Sequence, residues 1–328
     1  MTTDLIGYLV IWSVPDVAAP YGDLADLADQ VKFPKDCVPQ SPAPRCAWEK
    51  ATQTGSAGLK IDPPPDLVTQ VQRDYKTTPV VRILTRVVNA ASPVLKRHLV
   101  REAVIRTASQ ARKQLSLDTV AILEFDATTN AAKTLLIPDS DGWINGSIRQ
   151  VVADIDARFM HLLAHADGQD IREGVRKLLE RLHRISLRGT GGTYFIPVNA
   201  FDAENQLRAL RAFVNSVERW KTGQLTPQCR VLRVEGENAI ELREDIVASA
   251  LDEFKARLND LAGKVEPVLE GRARGRIAAQ INQQAMEMLL EIKAGVAAYK
   301  ESLGDGLQAL DDMLRMAQAA VVKAAGIE

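Results

Sequence analysis

The feature that most constrains this chain is its last third. From about Ile240 to Ala325 it carries apolar residues at heptad spacing with almost no strand signal. Val247, Leu251, Phe254, Leu258, Leu261, Val265 and Val268 alternate in steps of four and three, and Leu303, Leu307, Leu310, Leu314, Ala317, Val321 and Ala324 do the same. A 3.5-residue repeat puts one narrow apolar stripe on each helix, and a stripe has to be buried against another helix. The pattern predicts a helical hairpin or a coiled coil between chains. Pro267 should kink or break the first helix, and Gly304 with Gly306 marks a turn before the last.

At 328 residues there is room for two domains, or for one domain with a helical extension. A net charge of −1 provides no global field toward nucleic acid or an anionic membrane. The apolar run from Leu5 to Trp12 is too short to span a bilayer, and Ser13 and Pro15 follow it with no basic leader before it. No membrane partner and no signal peptide are expected. Cys37, Cys46 and Cys229 leave one thiol over from any pairing, which favours reduced thiols and a cytoplasmic setting.

Before residue 235 the signals are mixed. Ile6, Tyr8, Val10 and Trp12 alternate with Leu5, Leu9 and Ile11, so this strand is apolar on both faces and reads as central. A short helix is expected near Tyr21 to Val31, an irregular proline-rich stretch from Pro34 to Pro44, and a helical turn at Ala47 to Thr52 anchored by Trp48. Pro79 to Asn89 is strongly β, while Pro93 to Gln114 is ambiguous between strand and helix. Thr119 to Asp126 and Ala132 to Ile137 flank Thr128-Thr129-Asn130 as a hairpin. Amphipathic helices follow at Ile148 to Leu162 and Ile171 to Ile185, then a second hairpin around Gly189 to Gly192, a helix over Ala203 to Lys221, and a strand at Arg230 to Val234. Strands and helices come in runs. That predicts an α+β domain of antiparallel hairpins and packed helices over residues 1–235, with a helical hairpin or coiled coil over 236–328.

Motifs that would carry chemistry are weak. Gly189-Thr190-Gly191-Gly192 lacks the Lys-Ser/Thr of a phosphate loop and leads into strand-like Thr193 to Ile196, so it is read as a hairpin turn. His161 and His165 have the spacing of two metal ligands on a helix, but zinc needs a third, for which Asp167 and Asp170 are the nearby acids. Asp139-Ser140-Asp141-Gly142 begins like a calcium loop, yet its glycine comes two positions early and Gln150 stands at the twelfth. No nucleophile elbow or paired-carboxylate signature stands out, so no catalytic residue, metal or cofactor is expected.

Charge is clustered. Between Pro79 and Leu115 lie eight basic residues, Arg82, Arg86, Lys96, Arg97, Arg101, Arg106, Arg112 and Lys113, against the single acid Glu102, a local charge of +7. Arg82 and Arg86 share a face by the two-residue period of a strand. Such a patch suits nucleic-acid phosphates, and with no Phe, Tyr or Trp it offers no platform for stacked bases. The alternative is that these cations pair with acids elsewhere in the fold or sit on a solvated face.

Several fragments together resemble an uncharacterised family of prokaryotic and phage proteins. They are Tyr8 to Val14, Pro39 to Thr52 with its Ala47-Trp48-Glu49-Lys50-Ala51-Thr52, Arg97-His98-Leu99-Val100-Arg101-Glu102, Glu124-Phe125-Asp126, and Gly191 to Pro197. The likeness spans roughly residues 5 to 220. It brings no activity with it. It implies a phage, mobile-element or phage-defence context, and it favours strand for Arg97 to Glu102.

The leading expectation is a non-enzymatic assembly or adaptor protein that self-associates through a seam of Val247, Leu251, Phe254, Leu258, Leu261, Val265, Leu307, Leu310, Leu314 and Val321. Next comes a sequence-independent nucleic-acid-binding protein using Arg82, Arg86, Lys96, Arg97, Arg101 and Arg106. An enzyme with a dispersed site ranks last.

Overall fold

A computed structural model describes residues 5–53, 58–63, 65–90, 93–106, 112–137, 145–187 and 192–326. In chain order the elements are β1 (Gly7–Ser13), β2 (Ala18–Pro20), α1 (Tyr21–Val31), α2 (Pro44–Ala51), β3 (Leu59–Ile61), α3 (Pro65–Tyr75), β4 (Val80–Asn89), β5 (Val94–Arg106), β6 (Arg112–Asp126), β7 (Ala131–Leu136), α4 (Asn145–Ala164), β8 (His165–Asp167), α5 (Gly168–Arg181), β9 (Ile185–Ser186), β10 (Thr193–Pro197), α6 (Ala203–Ser216), β11 (Gln228–Val234), α7 (Glu237–Leu269), α8 (Gly275–Leu303) and α9 (Leu310–Ala325). Single 3-10 turns occupy Lys35–Cys37, Val217–Trp220 and Gly304–Leu307. The fold is α+β with antiparallel sheets and long C-terminal helices, as the run-wise pattern predicts. The described residues of the ambiguous stretch after Pro93 are strand, in β5 and β6.

The chain forms two compact units, one of residues 1–39 with 166–328 and one of residues 40–165. The boundary expected near residue 235 falls inside the first unit, because the C-terminal helices share a core with that unit's sheet.

In the first unit the strand order is β11-β1-β10-β9, with β1 antiparallel to both neighbours. The two-sided apolarity of β1 has the origin its sequence suggests. Tyr8, Val10 and Trp12 pack with α1, α5 and α6, where Phe33 and Phe213 stack at 4.2 Å. On the other face Leu9, opposite Phe195 of β10, packs half-buried against the cluster of α7, α8 and α9, which Ile6, just before the strand, also joins. A side chain at Gly7 would run into the Ile196 carbonyl and the Phe195 ring, so the close approach of β1 to β10 requires glycine there.

The heptad stripes are filled within this unit. Phe254, Leu258, Leu261 and Val265 of α7 are buried with Leu307, Leu310 and Val321, while Val247, Leu251 and Leu314 pack half-buried at the margin. Leu289, Ile292 and Val296 of α8 complete the cluster. Two stripes that read as a hairpin or coiled coil thus become parts of a three-helix layer lying on a sheet. Tyr299 of α8 is wholly buried and donates to the Phe195 carbonyl at 3.0 Å, fixing the layer to β10. Pro267 lies inside α7, which runs on to Leu269, and its carbonyl accepts from the Ala273 amide at 2.8 Å beyond the helix end.

The free edge of this sheet is blunted at β11. Asn215 of α6 places its side-chain amide against Cys229, its Oδ1 accepting from the Cys229 N–H at 2.8 Å. A side-chain amide here imitates a neighbouring strand, one way to protect an edge from unwanted pairing.

The second unit is an antiparallel meander in the order β3-β4-β5-β6-β7. Its β-branched strands carry Ile83, Leu95, Leu99, Ala121, Leu123 and Phe125 to one face, where Trp48 of α2 and Ile148, Ile155 and Phe159 of α4 close the core. Trp48 stacks on Phe125 at 5.6 Å, and Phe159 meets Phe125 edge-on at 6.3 Å. The expected hairpin around Thr128 is present, with Asp126 accepting from the Thr128 amide at 2.8 Å and Asn130 in the left-handed region at φ 56°.

Candidate nucleic-acid interface

Register decides where the basic segment points. Residues directly opposite one another in a sheet share a face, and the face alternates along each strand. The core face takes the rows Thr85–Leu99–Ala121–Leu136 and Val87–Arg97–Leu123–Thr134. The opposite face takes Lys60–Arg82–Glu102, then Leu84–Val100, then Arg86–His98–Ile122–Leu135, and then Lys96–Glu124–Lys133. Arg82 and Arg86 do share a face, with Lys96. Lys60 and Lys133 join them, outside the segment singled out by sequence. Their signal is positional: they lie in strands β3 and β7, and only the pairing shows that they flank Arg82 and Glu124.

Lys60, Arg86, Lys133 and Leu135 are exposed, whereas Val100 and Glu102 are buried. Arg82 pairs with Glu102 at 3.4 Å and Lys96 with Glu124 at 2.7 Å, leaving the Lys96 side chain 44% exposed. Arg82 is therefore committed to a buried carboxylate, while Lys60, Arg86, Lys96 and Lys133 present charge outward. The local field is larger than the chain total suggests. Residues 40–165 hold 16 basic and 12 acidic side chains, a net +4, and the remainder holds 25 and 30, a net −5.

Two of the expected contacts lie elsewhere. Arg97 is buried on the core face. Its guanidinium donates to the Glu49 carbonyl at 2.7 Å and to Thr52 Oγ1 at 2.6 Å, and lies over the Trp48 ring at 5.3 Å. Burial lowers its pKa, with Glu49 opposing. Arg101 also lies on the core side and pairs with Asp118 at 2.9 Å. Pairing with an acid holds for Arg101, as for Arg82 and Lys96, whereas Arg97 is held by a backbone carbonyl and a hydroxyl. Arg106 closes β5 in register with Arg112, and its side chain lies outside the described residues.

The other candidate motifs resolve simply. The rings of His161 and His165 stack at 4.7 Å, and among the described residues no group of three potential ligands surrounds a metal position. Asp167 and Asp170 are occupied as a reciprocal capping box at the start of α5. Gly192, at φ 86°, leads directly into β10, whereas residues 188–191 and the calcium-loop candidate at 139–142 lie outside the described residues. Cys229 is buried and its thiol is pushed up to about 12, which leaves it inert as a nucleophile. A groove of about 1140 Å³ runs between α5, α7 and α8 in the first unit. Its walls are charge-balanced by the pairs Arg257–Glu253, Lys264–Asp260 and Arg184–Glu180 at 2.6, 2.9 and 3.2 Å.

Among the described residues no helix is long and apolar enough to cross a membrane. No curated protein matches the chain. Residues 5–326 match the model of DUF6744, a family of unknown function, so nearly the whole chain is covered and it belongs to that family.

Proposed function

We propose that this chain is a non-enzymatic nucleic-acid-binding protein that contacts phosphates through the sheet face of residues 40–165. One observation carries the reading: Lys60, Arg86, Lys96 and Lys133, from four different strands, are brought by register onto one face opposite the helix-covered core. Cations on a sheet face attract a polyanion irrespective of sequence. Gel-shift titration of the purified chain tests this. Binding should be strong at low salt, weaken steeply with added salt, and weaken for all sequences alike in Arg86→Gln. A folded chain that binds nothing at low salt would reject the reading.

A second reading, an adaptor that engages a protein, has its own support. Phe201 is 86% exposed on the loop before α6. That loop is pinned by Gln206 Nε2 donating to the Phe201 carbonyl at 2.8 Å and by Asn205 donating to Asp202 at 2.7 Å. A rigidly displayed aromatic ring is the usual anchor of a protein contact. Affinity capture from a native host with wild-type chain and Phe201→Ala separates the readings, since only an adaptor loses a partner in the variant while keeping its nucleic-acid binding.

A further inference from the structure

We infer that the ligand of this face is double-stranded DNA, its two backbones lying on separate cationic tracks; this rests on the phosphate-binding reading above. The first track is anchored by Lys60, exposed beside Arg82, which Glu102 already holds. The second begins at Arg86 and continues through Lys96 and Lys133, which flank Glu124 in one row. Between them runs the apolar row of half-buried Leu84 and buried Val100. The Lys60 row and the Arg86 row are four residues apart along β4, about 14 Å at roughly 3.4 Å per residue. The major groove of B-form DNA is about 12 Å wide. The tracks are thus spaced to meet phosphates on opposite sides of a groove.

A single strand fits poorly. It binds proteins largely by stacking its bases on aromatic rings. The described positions of this face hold no Phe, Tyr or Trp, and Trp48, Phe125 and Phe159 are consumed in the core behind it. The apolar Leu84–Val100 row gives bases neither a stacking ring nor a hydrogen-bonding edge. An A-form duplex pairs a deep, narrow major groove with a wide, shallow minor groove, so duplex RNA is the competitor the experiment has to exclude.

Fluorescence anisotropy of the full chain against a labelled duplex DNA, the matching single strand and a duplex RNA decides the matter. Duplex DNA should bind at least about ten-fold tighter than either competitor. Its affinity should fall about 100-fold between roughly 50 and 200 mM salt, the expectation for four neutralised phosphates. Lys60→Gln and Lys133→Gln, one on each track and both exposed, should each flatten the salt slope by about one unit on duplex DNA. Equal or tighter binding of the single strand, or preference for duplex RNA, would overturn the duplex DNA assignment while leaving phosphate binding standing. No binding to any of the three, with the circular dichroism spectrum intact, would remove both.

Discussion

The guanidinium of Arg97 reaches Thr52 Oγ1 at 2.6 Å across 45 positions of sequence and ties β5 to the end of α2. Thr52 in turn donates to the Trp48 carbonyl at 2.8 Å, so the hydroxyl serves at once as acceptor and donor. Two fragments that make the sequence recognisable, Ala47 to Thr52 and Arg97 to Glu102, therefore meet in one buried network. Their distinctiveness is structural, since Arg97 holds α2 and Glu102 holds Arg82.

Arg97→Ala should destabilise the chain by about 2–4 kcal/mol, because it removes charged hydrogen bonds from a buried site and strips the Trp48 ring of its cation. Arg97→Lys should recover only part of this, since an ammonium lacks the planar fork. Urea denaturation of the three proteins measures the series. A lysine variant as stable as wild type would show that charge alone suffices there.

Leu258→Asp tests where the heptad seam is satisfied. Leu258 is buried among residues of its own chain, so the new carboxylate should cost several kcal/mol. The wild-type urea midpoint should not move with protein concentration if the stripe is filled in cis. A midpoint that rises with concentration would show that a second chain completes the seam.

The C-terminal helices and the central position of β1 were legible because each depends on local periodicity. The partner of the stripes was not. A 3.5-residue repeat states that a helix must be covered, and it does not distinguish a second chain from the Phe195 face of a sheet. The candidate interface was half legible for a similar reason. Strand period placed Arg82 with Arg86, but Lys60 and Lys133 enter only through cross-strand register, which depends on turns distant in sequence. Arg97 was misassigned as surface because its partner, the backbone and hydroxyl of α2, leaves no charge signal in the sequence.

Tyr299→Phe isolates the bond that pins α8 to the sheet. The hydroxyl is buried and donates to the Phe195 carbonyl, while the ring itself packs against Phe254 at 5.6 Å. Phenylalanine keeps the packing and leaves the carbonyl without its donor, so a loss of about 1–3 kcal/mol is expected in urea melts. An unchanged midpoint would mean that water or another donor replaces the hydroxyl.

His183 gives the fold a sensitivity to acid. It follows α5 in the left-handed region at φ 55°, and its ring packs beside Gly295 of α8, where an added Cβ would lie 3.3 Å from Nδ1. Burial, and then the Arg257 cation, hold the imidazole below its ordinary value of 6.5. In the unfolded chain the ring takes up a proton near that ordinary value, whereas the folded chain resists until a lower pH. Between the two values the unfolded state binds more protons, so stability is intact above about pH 6.5 and declines as the pH falls toward the folded value. His183→Asn tolerates the left-handed backbone and cannot titrate. Urea midpoints compared at about pH 7.5 and about pH 5.5 should therefore drop more for wild type than for the variant, with His98, His161 and His165 common to both. Equal drops would show that the acid sensitivity does not arise at His183.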